Sequence, residues 1–427
     1  MSFQRSLLFV TGAVFSGSAA AGGLLLYEVG TADVGLASAG YTARAQDAST
    51  VLTNPAGMTR LPGQQLLLGA QVLYGNTSFS ADSGTSPGLG QDDGGNPIGW
   101  FPGGGMFYTQ QLSPTVTVGF AATGNFGLSE SYDSNWVGRY YIQESTLLGL
   151  SLLPSIAWKV SPEFSLGASL NATYGIFRNQ VAVNNVLPGT ADGQLKLSDD
   201  VWGFGVNLGA LYEPQPGTRI GLTYTSQVDL DFSTSADFSR LAPGLELVLG
   251  QRGLLGSSID LGMSIPQTLN LSFFQQMDER WALLGSLGWQ NWAQFGKVDV
   301  SIDSNDPKSL TTSIDFKDTW HAALGAQIKV SDPWTLNFGM AYDSGFQDNS
   351  NVTPALPANT AWRFGVGVQH QVDPGFEWGV AAEYIYGGSM DVNKLANSPA
   401  VGGRGDLIGS LDTDMFFLAA NFIWKFQ

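Results

Sequence analysis

Residues 164–177 read FSLGASLNATYGIF, and the period of that stretch decides the fold. Phe164, Leu166, Ala168, Leu170, Ala172, Tyr174 and Ile176 fall on one face of an extended chain. Ser165, Gly167, Ser169, Asn171, Thr173 and Gly175 fall on the other. Such alternation marks a strand with one apolar face and one small or polar face. The pattern returns in Val201–Tyr212, Trp334–Tyr342 and Trp362–Val372. A soluble sandwich shares the period, but it would need to bury these aromatics and cover its outside with charge. Charged residues make up only 13% of the 427 positions, about half the usual share of roughly 25%. Gly is frequent, with 55 residues, and aromatics reach 12%. No uncharged apolar run approaches the ~18–20 residues of a membrane helix. The reading is all-β: a transmembrane antiparallel barrel with its apolar face toward lipid and its small, polar face toward the lumen.

Segments of this kind fall at 64–79, 98–111, 114–126, 143–160, 163–183, 194–213, 217–233, 257–277, 280–304, 309–330, 333–345, 359–373, 376–393 and 411–426. That is about 14 strands, an even number, as single-chain bacterial barrels have. Short polar turns such as SPEF (161–164), EPQPGT (213–218) and SDPW (331–334) alternate with long connections near 80–97, 127–142, 184–193, 234–256, 346–358 and 394–410. Short periplasmic turns and long exterior loops are the usual asymmetry. Aromatics near strand ends (Trp136, Tyr140, Tyr141, Trp289, Trp292, Tyr384, Tyr386) read as interfacial girdles. Trp100, Phe101 and Trp136 have a second reading, as the lining of a ligand entrance.

Met1–Ala20 has a positive residue at Arg5, an apolar core at Leu7–Phe15 and small residues Ser18-Ala19-Ala20. It reads as a cleaved secretory signal peptide. An exported β-rich chain without cysteine points to the outer membrane of a Gram-negative bacterium. The last strand, MFFLAANFIWKF (415–426), ends on Phe426, the penultimate residue before Gln427, a small departure from the terminal aromatic typical of barrels delivered by the barrel-assembly machinery. The net charge of −17 argues against nucleic acid as a partner.

Catalytic motifs are missing. There is no GxSxG elbow, P-loop or HExxH, and the Gly-rich stretches at 203–209 and 365–370 alternate with Trp, Phe and Val as strands do. QDDGGN (91–96) lacks the spacing of a calcium loop. His321 and His370 both sit in strand patterns, at an interface or in the lumen. No enzyme activity, metal or cofactor is expected.

Three features are candidate sites. The loop 234–256 carries Leu241, Leu245, Val248 and Leu249 at helical spacing, which suits either a ligand groove or packing on another loop. Arg139 in WVGRYY would suit a substrate carboxylate or a structural ion pair. Gly124, Asn125 and Gly127 would permit a kink in the third strand or simply end it.

The stretch from Ala21, AGGLLLYEVGTADVGLASAGYTARAQDASTVLTNPAGMTRL, resembles the N-terminal hatch of the FadL/TodX family of outer-membrane transporters. The matching features are the Asp47-Ala48 pair and the signature Asn54, Pro55 and Ala56. NFGLSESYDSNWVGRYY (125–141), IPQTLNLSFFQQMDERWALLGSLGWQNWAQF (265–295) and FKDTWHAALGAQIKVSDPWTLNFGMAYDSG (316–345) are similar to later family segments. The resemblance implies a hatch at 21–63 plugging a barrel at 64–427. It implies passive carriage of long-chain fatty acids or alkylaromatics, captured between loops, held beside the hatch and released sideways at a kink in the third strand. It also implies a monomer in contact with membrane lipid and lipopolysaccharide.

Overall fold

The computed structural model describes residues 25–185, 190–295, 297–303, 308–313, 316–348, 352–395 and 404–426. The expected signal peptide lies outside these residues. In chain order the strands are β1 (Gln64–Ala81), β2 (Gly99–Gln111), β3 (Val116–Ser131), β4 (Glu144–Lys159), β5 (Phe164–Val183), β6 (Gly193–Gln215), β7 (Thr218–Thr225), β8 (Val228–Ser235), β9 (Asp237–Ser239) and β10 (Ser258–Ile265). There follow β11 (Thr268–Gln276), β12 (Trp281–Gln290), β13 (Lys297–Ile302), β14 (Lys308–Ser313), β15 (Thr319–Ser331), β16 (Trp334–Asp343), β17 (Ala361–Asp373), β18 (Phe376–Lys394) and β19 (Leu407–Phe426).

One antiparallel sheet has fifteen strands, of which β9 is a three-residue addition on the rim of β6. The other fourteen close on themselves. β1 pairs with β19 from Gln64↔Phe426 to Ala81↔Gly409, and β5 pairs with β6. Closure leaves no barrel edge unpaired, which the hydrocarbon layer requires. Among the described residues no helix is long and apolar enough to cross a membrane.

The faces follow the alternation. Leu166 and Leu170 of β5 and Trp202, Phe204, Val206 and Leu208 of β6 are exposed outward. Ser165, Ser169, Asn171 and Thr173 are buried inward. Exposed aromatics mark both ends: Trp202, Trp320 and Trp362 toward the long connections, Trp158, Trp281 and Trp334 toward the short turns. Trp202 and Tyr212 are both exposed on β6. Ten residues of tilted strand between them span about 25 Å, the height of the apolar band of such barrels.

Four expected strands are broken. The segments 217–233, 257–277, 280–304 and 309–330 each divide, and their pieces β8, β10, β13 and β14 form a separate four-stranded sheet on the long-connection side. Pro266 parts β10 from β11, since it has no N–H for a ladder. Asp318 parts β12 from β13: its carboxylate accepts from Asn291 Nδ2 at 2.9 Å, Ala293 N at 3.2 Å and Trp289 Nε1 at 3.2 Å. β8 then lies against the inner wall. A Cβ at Gly203 would come within 2.5 Å of the Asp229 carbonyl, so this crossing needs glycine on the lumen face of β6.

The aromatic assignments divide too. Trp136 and Trp292 are fully buried and Tyr140 nearly so, within clusters of the long connections. They are cores of those connections, because a long loop without a ladder must bury its own apolar groups. Trp100, 68% exposed and 4.8 Å from the Tyr74 ring, sits on the outer wall. Tyr386 faces outward as a girdle residue should.

Residues 25–63 fill the lumen. They form α1 (Thr31–Gly35), α2 (Thr50–Thr53) and a 3-10 turn, Pro55–Arg60. α1 packs on β17 and β18, and the 3-10 turn packs on β4, β5 and β6. Leu36, Ala39 and Ala43 meet Phe274, Leu284 and Ala323 of the wall. Val51 and Met58 meet Leu67, Phe107 and Leu153. The inward glycines admit plug backbone: a methyl at Gly339 would overlap the Leu36 carbonyl, and one at Gly167 would overlap Ala56.

Candidate functional site

The Asn54-Pro55-Ala56 signature joins the plug to the wall. Asn54 is extended at φ −165°, and Pro55 occupies the first position of the 3-10 turn, where its fixed φ fits. The buried Asn54 side chain makes three bonds. Its Nδ2 donates to the carbonyls of Thr42 at 2.7 Å and Ala210 of β6 at 3.0 Å, and its Oδ1 accepts from Ala56 N at 3.1 Å. One amide caps a turn, ties two plug segments and anchors both to the barrel.

A second tie lies inside the plug. Arg44 reaches Asp47 at 2.6 Å, Asp33 at 3.2 Å and Ser49 Oγ at 3.1 Å. Burial pushes the Asp33 carboxyl up to about 6, against the pull of Arg44. Asp47 is equally buried, but the Arg44 charge and bonds from Arg44 and Ser49 hold it below the usual carboxylate range.

The third strand is kinked. Between β3 and β4 the register shifts at Gly124/Phe126, so Asn125 is an extra, bulged residue, and Gly127 takes φ 142°, a conformation L side chains rarely adopt. The start of the plug docks there. Leu26 N donates to the Asn125 carbonyl at 3.1 Å, and Leu25 bridges to Phe126. Asn125 Oδ1 accepts from Ser151 Oγ at 2.9 Å.

Beside this bulge and above the plug lies a lumen cavity of about 60 Å³. Leu26, Phe126, Val228 and Ile265 supply apolar walls, and Asn171, Thr173, Asn270 and Gln290 supply amides and hydroxyls. Among the described residues no charged side chain lines it. Aromatic rings continue upward from the bulge: Phe126 lies 6.2 Å from Phe295, which meets Trp292 at 5.1 Å and Phe316 at 6.2 Å. Phe346 closes the group at 5.2 Å from Trp292. A larger groove of about 600 Å³ runs over Leu271, Phe273, Leu287 and Leu324, whose side chains are exposed on the outer wall. It lies on the outer wall, separate from the lumen cavity.

Behind the cavity, charges cluster around Arg363. Its guanidinium meets Glu28 of the plug, Asp343 at 2.5 Å and Glu383 at 3.7 Å, all buried. His321 Nδ1 lies 2.7 Å from Asp343, and its ring stacks on Tyr27 at 4.3 Å. His321 thus faces the lumen, whereas His370 packs on Trp334 at 4.1 Å near the short turns. This network went unread in the sequence. Its only signal was acidic and basic residues at inward positions of strands with otherwise small inward residues.

The remaining candidates lie in the long connections. Arg139 donates to Asp192 and to the carbonyls of Leu89 and Trp136, at 2.7, 2.6 and 3.2 Å, and to Tyr140 Oη at 3.2 Å. That is a structural ion pair. Leu241 precedes α3 (Pro243–Gln251), which holds Leu245, Val248 and Leu249. Val248 is 43% exposed and Leu247, unread in the sequence, is 63% exposed, while the other three are half-buried. Asn185 links this loop to its neighbour by bonding Arg240 O and Ala242 N.

Comparison with known proteins agrees with this geometry. Relatives include the long-chain fatty acid transport protein of Escherichia coli K12, 26% identical over 423 residues, covering 92% of this chain and 94% of the relative. Outer membrane protein P1 of Haemophilus influenzae is 26% identical over 426 residues, covering 90% of each. Among solved structures, a Pseudomonas aeruginosa FadL homologue superposes with TM-score 0.83 at 21% identity, over 95% of this chain and all of that one. The toluene transporter TodX of Pseudomonas putida gives 0.71 at 17% identity, over 94% and 100%. The model of the family described as outer membrane protein transport protein (OMPP1/FadL/TodX) matches residues 12–426, so the chain belongs to that family and is a β-barrel of the Gram-negative outer membrane.

Proposed function

We propose that this protein carries hydrophobic small molecules passively across the outer membrane. Substrate is captured on the apolar surface around α3, where Leu241, Leu245, Val248 and Leu249 meet solvent or neighbouring loop. It moves down the aromatic rings into the cavity beside the plug and leaves sideways at Gly124, Asn125 and Gly127. The observation that carries this reading is the docking of Leu25 and Leu26 on the β3 bulge at the cavity wall. One segment thus touches plug, cavity and the irregular strand together. Relatives named for long-chain fatty acid and toluene transport support the substrate class.

Energetics suit such a route. Burial of each CH₂ is worth about 0.8 kcal/mol, so an apolar surface can collect a dilute solute. A cavity of 60 Å³ is far below the ~300 Å³ that small-molecule sites start from. Passage therefore requires the plug's first residues to shift.

Deleting Asn125 tests the exit. It removes the bulge, restores β3–β4 register and should abolish uptake of a labelled apolar solute while heat-modifiable gel migration stays normal. Uptake at the wild-type rate by a folded deletion variant would overturn the lateral exit. Equal uptake by cells with and without the intact protein would favour a structural or adhesive barrel.

A further inference from the structure

We propose that Pro154 positions the lateral opening by acting as its hinge: the ribbon that β3 and β4 form above it tilts out of the wall as a unit. The proposal rests on the lateral exit described above and adds the residue that lets the wall yield.

Proline has no N–H, so a strand paired on both sides loses a rung wherever one sits. Pro154 nevertheless stands inside β4, facing outward with the exposed Leu152 and Ile156. Toward β3 the pairing is unbroken here, with Phe120↔Pro154 in register. Toward β5 it is broken. The ladder runs from Glu144↔Gln180 to Leu152↔Ala172, skips Leu153 and Pro154, and resumes at Ser155↔Ser169. The register is the same on both sides of the break, so no bulge accounts for it. The missing donor does: the Leu170 carbonyl stands opposite a ring nitrogen that carries no hydrogen. An unsatisfied carbonyl is costly at membrane depth, and the lost rung makes this the soft point of the β4–β5 seam.

The soft point is joined to the β3 bulge. Asn125 Oδ1 accepts from Ser151 Oγ at 2.9 Å, Ser151 shares a bond with Thr173 Oγ1 at 3.0 Å, and Thr173 Oγ1 reaches Asn171 Oδ1 at 3.0 Å. These side chains run from the bulge across β4 to the break, and all of them line the lumen cavity. A molecule entering the cavity meets the bonds that hold both irregular points. On the ribbon's other flank the β2–β3 ladder ends at Gly105↔Thr123, although β2 runs on to Gly99. Among the described residues β3 has no rung to β2 above Thr123. Rungs from Phe126↔Gly149 to Ser131↔Glu144 hold the ribbon itself together. One flank without rungs, one softened flank and a bulge at the foot let such a ribbon tilt without unzipping.

Uptake of a labelled apolar solute by cells tests the hinge, with heat-modifiable migration reporting the folded wall. Pro154→Ala supplies the missing N–H. Its uptake should fall about fivefold, the factor that one net hydrogen bond is worth, while the midpoint of heat-modified migration holds or rises. A lower midpoint alongside the lost uptake would mark a proline that only shapes the strand, and overturns the hinge. The chain has no cysteine, so engineered pairs are unambiguous. Ser155 and Ser169, whose hydroxyls bond at 2.7 Å, face each other beside the break. Ser155→Cys with Ser169→Cys should lose uptake on oxidation and regain it on reduction. Ser129→Cys with Thr146→Cys, replacing hydroxyls 2.8 Å apart, joins β3 to β4 inside the ribbon and should leave uptake unchanged in both states. Wild-type uptake by Pro154→Ala, or by the oxidised Ser155/Ser169 pair, overturns the hinge and leaves the lateral exit to be judged by the Asn125 deletion. Equal loss in both oxidised pairs shows that the ribbon does not move as a unit and also overturns it. Uptake by the wild type no greater than by cells without the protein overturns the transport reading itself.

Discussion

Replacing Asn54 by Ala should loosen the plug and leave the barrel intact. The side chain makes three hydrogen bonds, to Thr42 O, Ala210 O and from Ala56 N, and its residue is fully buried. At about 1 kcal/mol net for each, the loss is roughly 3 kcal/mol. It falls on the plug alone, because the wall is held by its own closed ladder. Local opening free energies set amide exchange, and 1.36 kcal/mol is a factor of ten. Exchange at residues 50–60 should therefore quicken about a hundredfold, read by hydrogen–deuterium exchange in detergent. Exchange along β1 and β19, which close the barrel, should not change. If residues 50–60 exchange as in the wild type, the amide is no anchor. If plug and barrel quicken together, the plug is part of the barrel's folding unit and does not open on its own.

Arg363→Ala would leave Glu28, Asp343 and Glu383 buried without their cation, at a cost of about 3–5 kcal/mol. The midpoint of heat-modified migration should fall, and adding Glu383→Gln should restore part of it; an unchanged midpoint would refute the network's role. The plug should also respond to pH. Asp33 has a native pKa of about 6 against an ordinary 3.8, so the folded plug binds this proton more tightly than the unfolded chain. Its ionised form costs stability above pH 6, and that cost is relieved as pH falls through 6. Asp47, held below 3.8, has the opposite sign: its stabilisation is present above that value and is lost only in more acidic solution. From pH 7.5 to 5 the plug should gain about 1.4 kcal/mol, a tenfold slowing of its exchange once the intrinsic rate is corrected. Asp33→Asn should abolish that slowing, and a wild-type plug without it would contradict the assignment.

The barrel was legible because one physical rule acts at every strand. Lipid outside and plug or polar groups inside impose a period of two, and the rule is local to each strand. Where it failed, the partner was remote. Segment 217–233 alternates throughout, yet β8 leaves the barrel after Thr225 because Gly203 and Gly205 of β6 give it room inside. Alternation cannot distinguish a strand facing lipid from one lying on another wall. Trp136 and Trp292 misled for a similar reason. An aromatic near a strand end suits a girdle, and only the surrounding loops decide whether it is covered.

The candidate site was legible in part for the same reason. Asn54-Pro55-Ala56 carries its own cap chemistry within three residues, so its turn could be read locally. The charge network could not, since Glu28 and Arg363 are 335 positions apart. The glycines around Asn125 admitted both a kink and a strand end, because Gly serves either. What separates the two is a partner a hundred residues upstream. A bulge leaves one carbonyl without its ladder bond, and in the low-dielectric wall that carbonyl needs a donor. Leu26 N supplies it. The kink and the plug's first residues therefore stabilise each other, and neither can move without exposing the other's unpaired group. On the proposed route, an opening at β3 would begin with a molecule that displaces Leu26, and that would tie release to occupancy of the adjoining cavity.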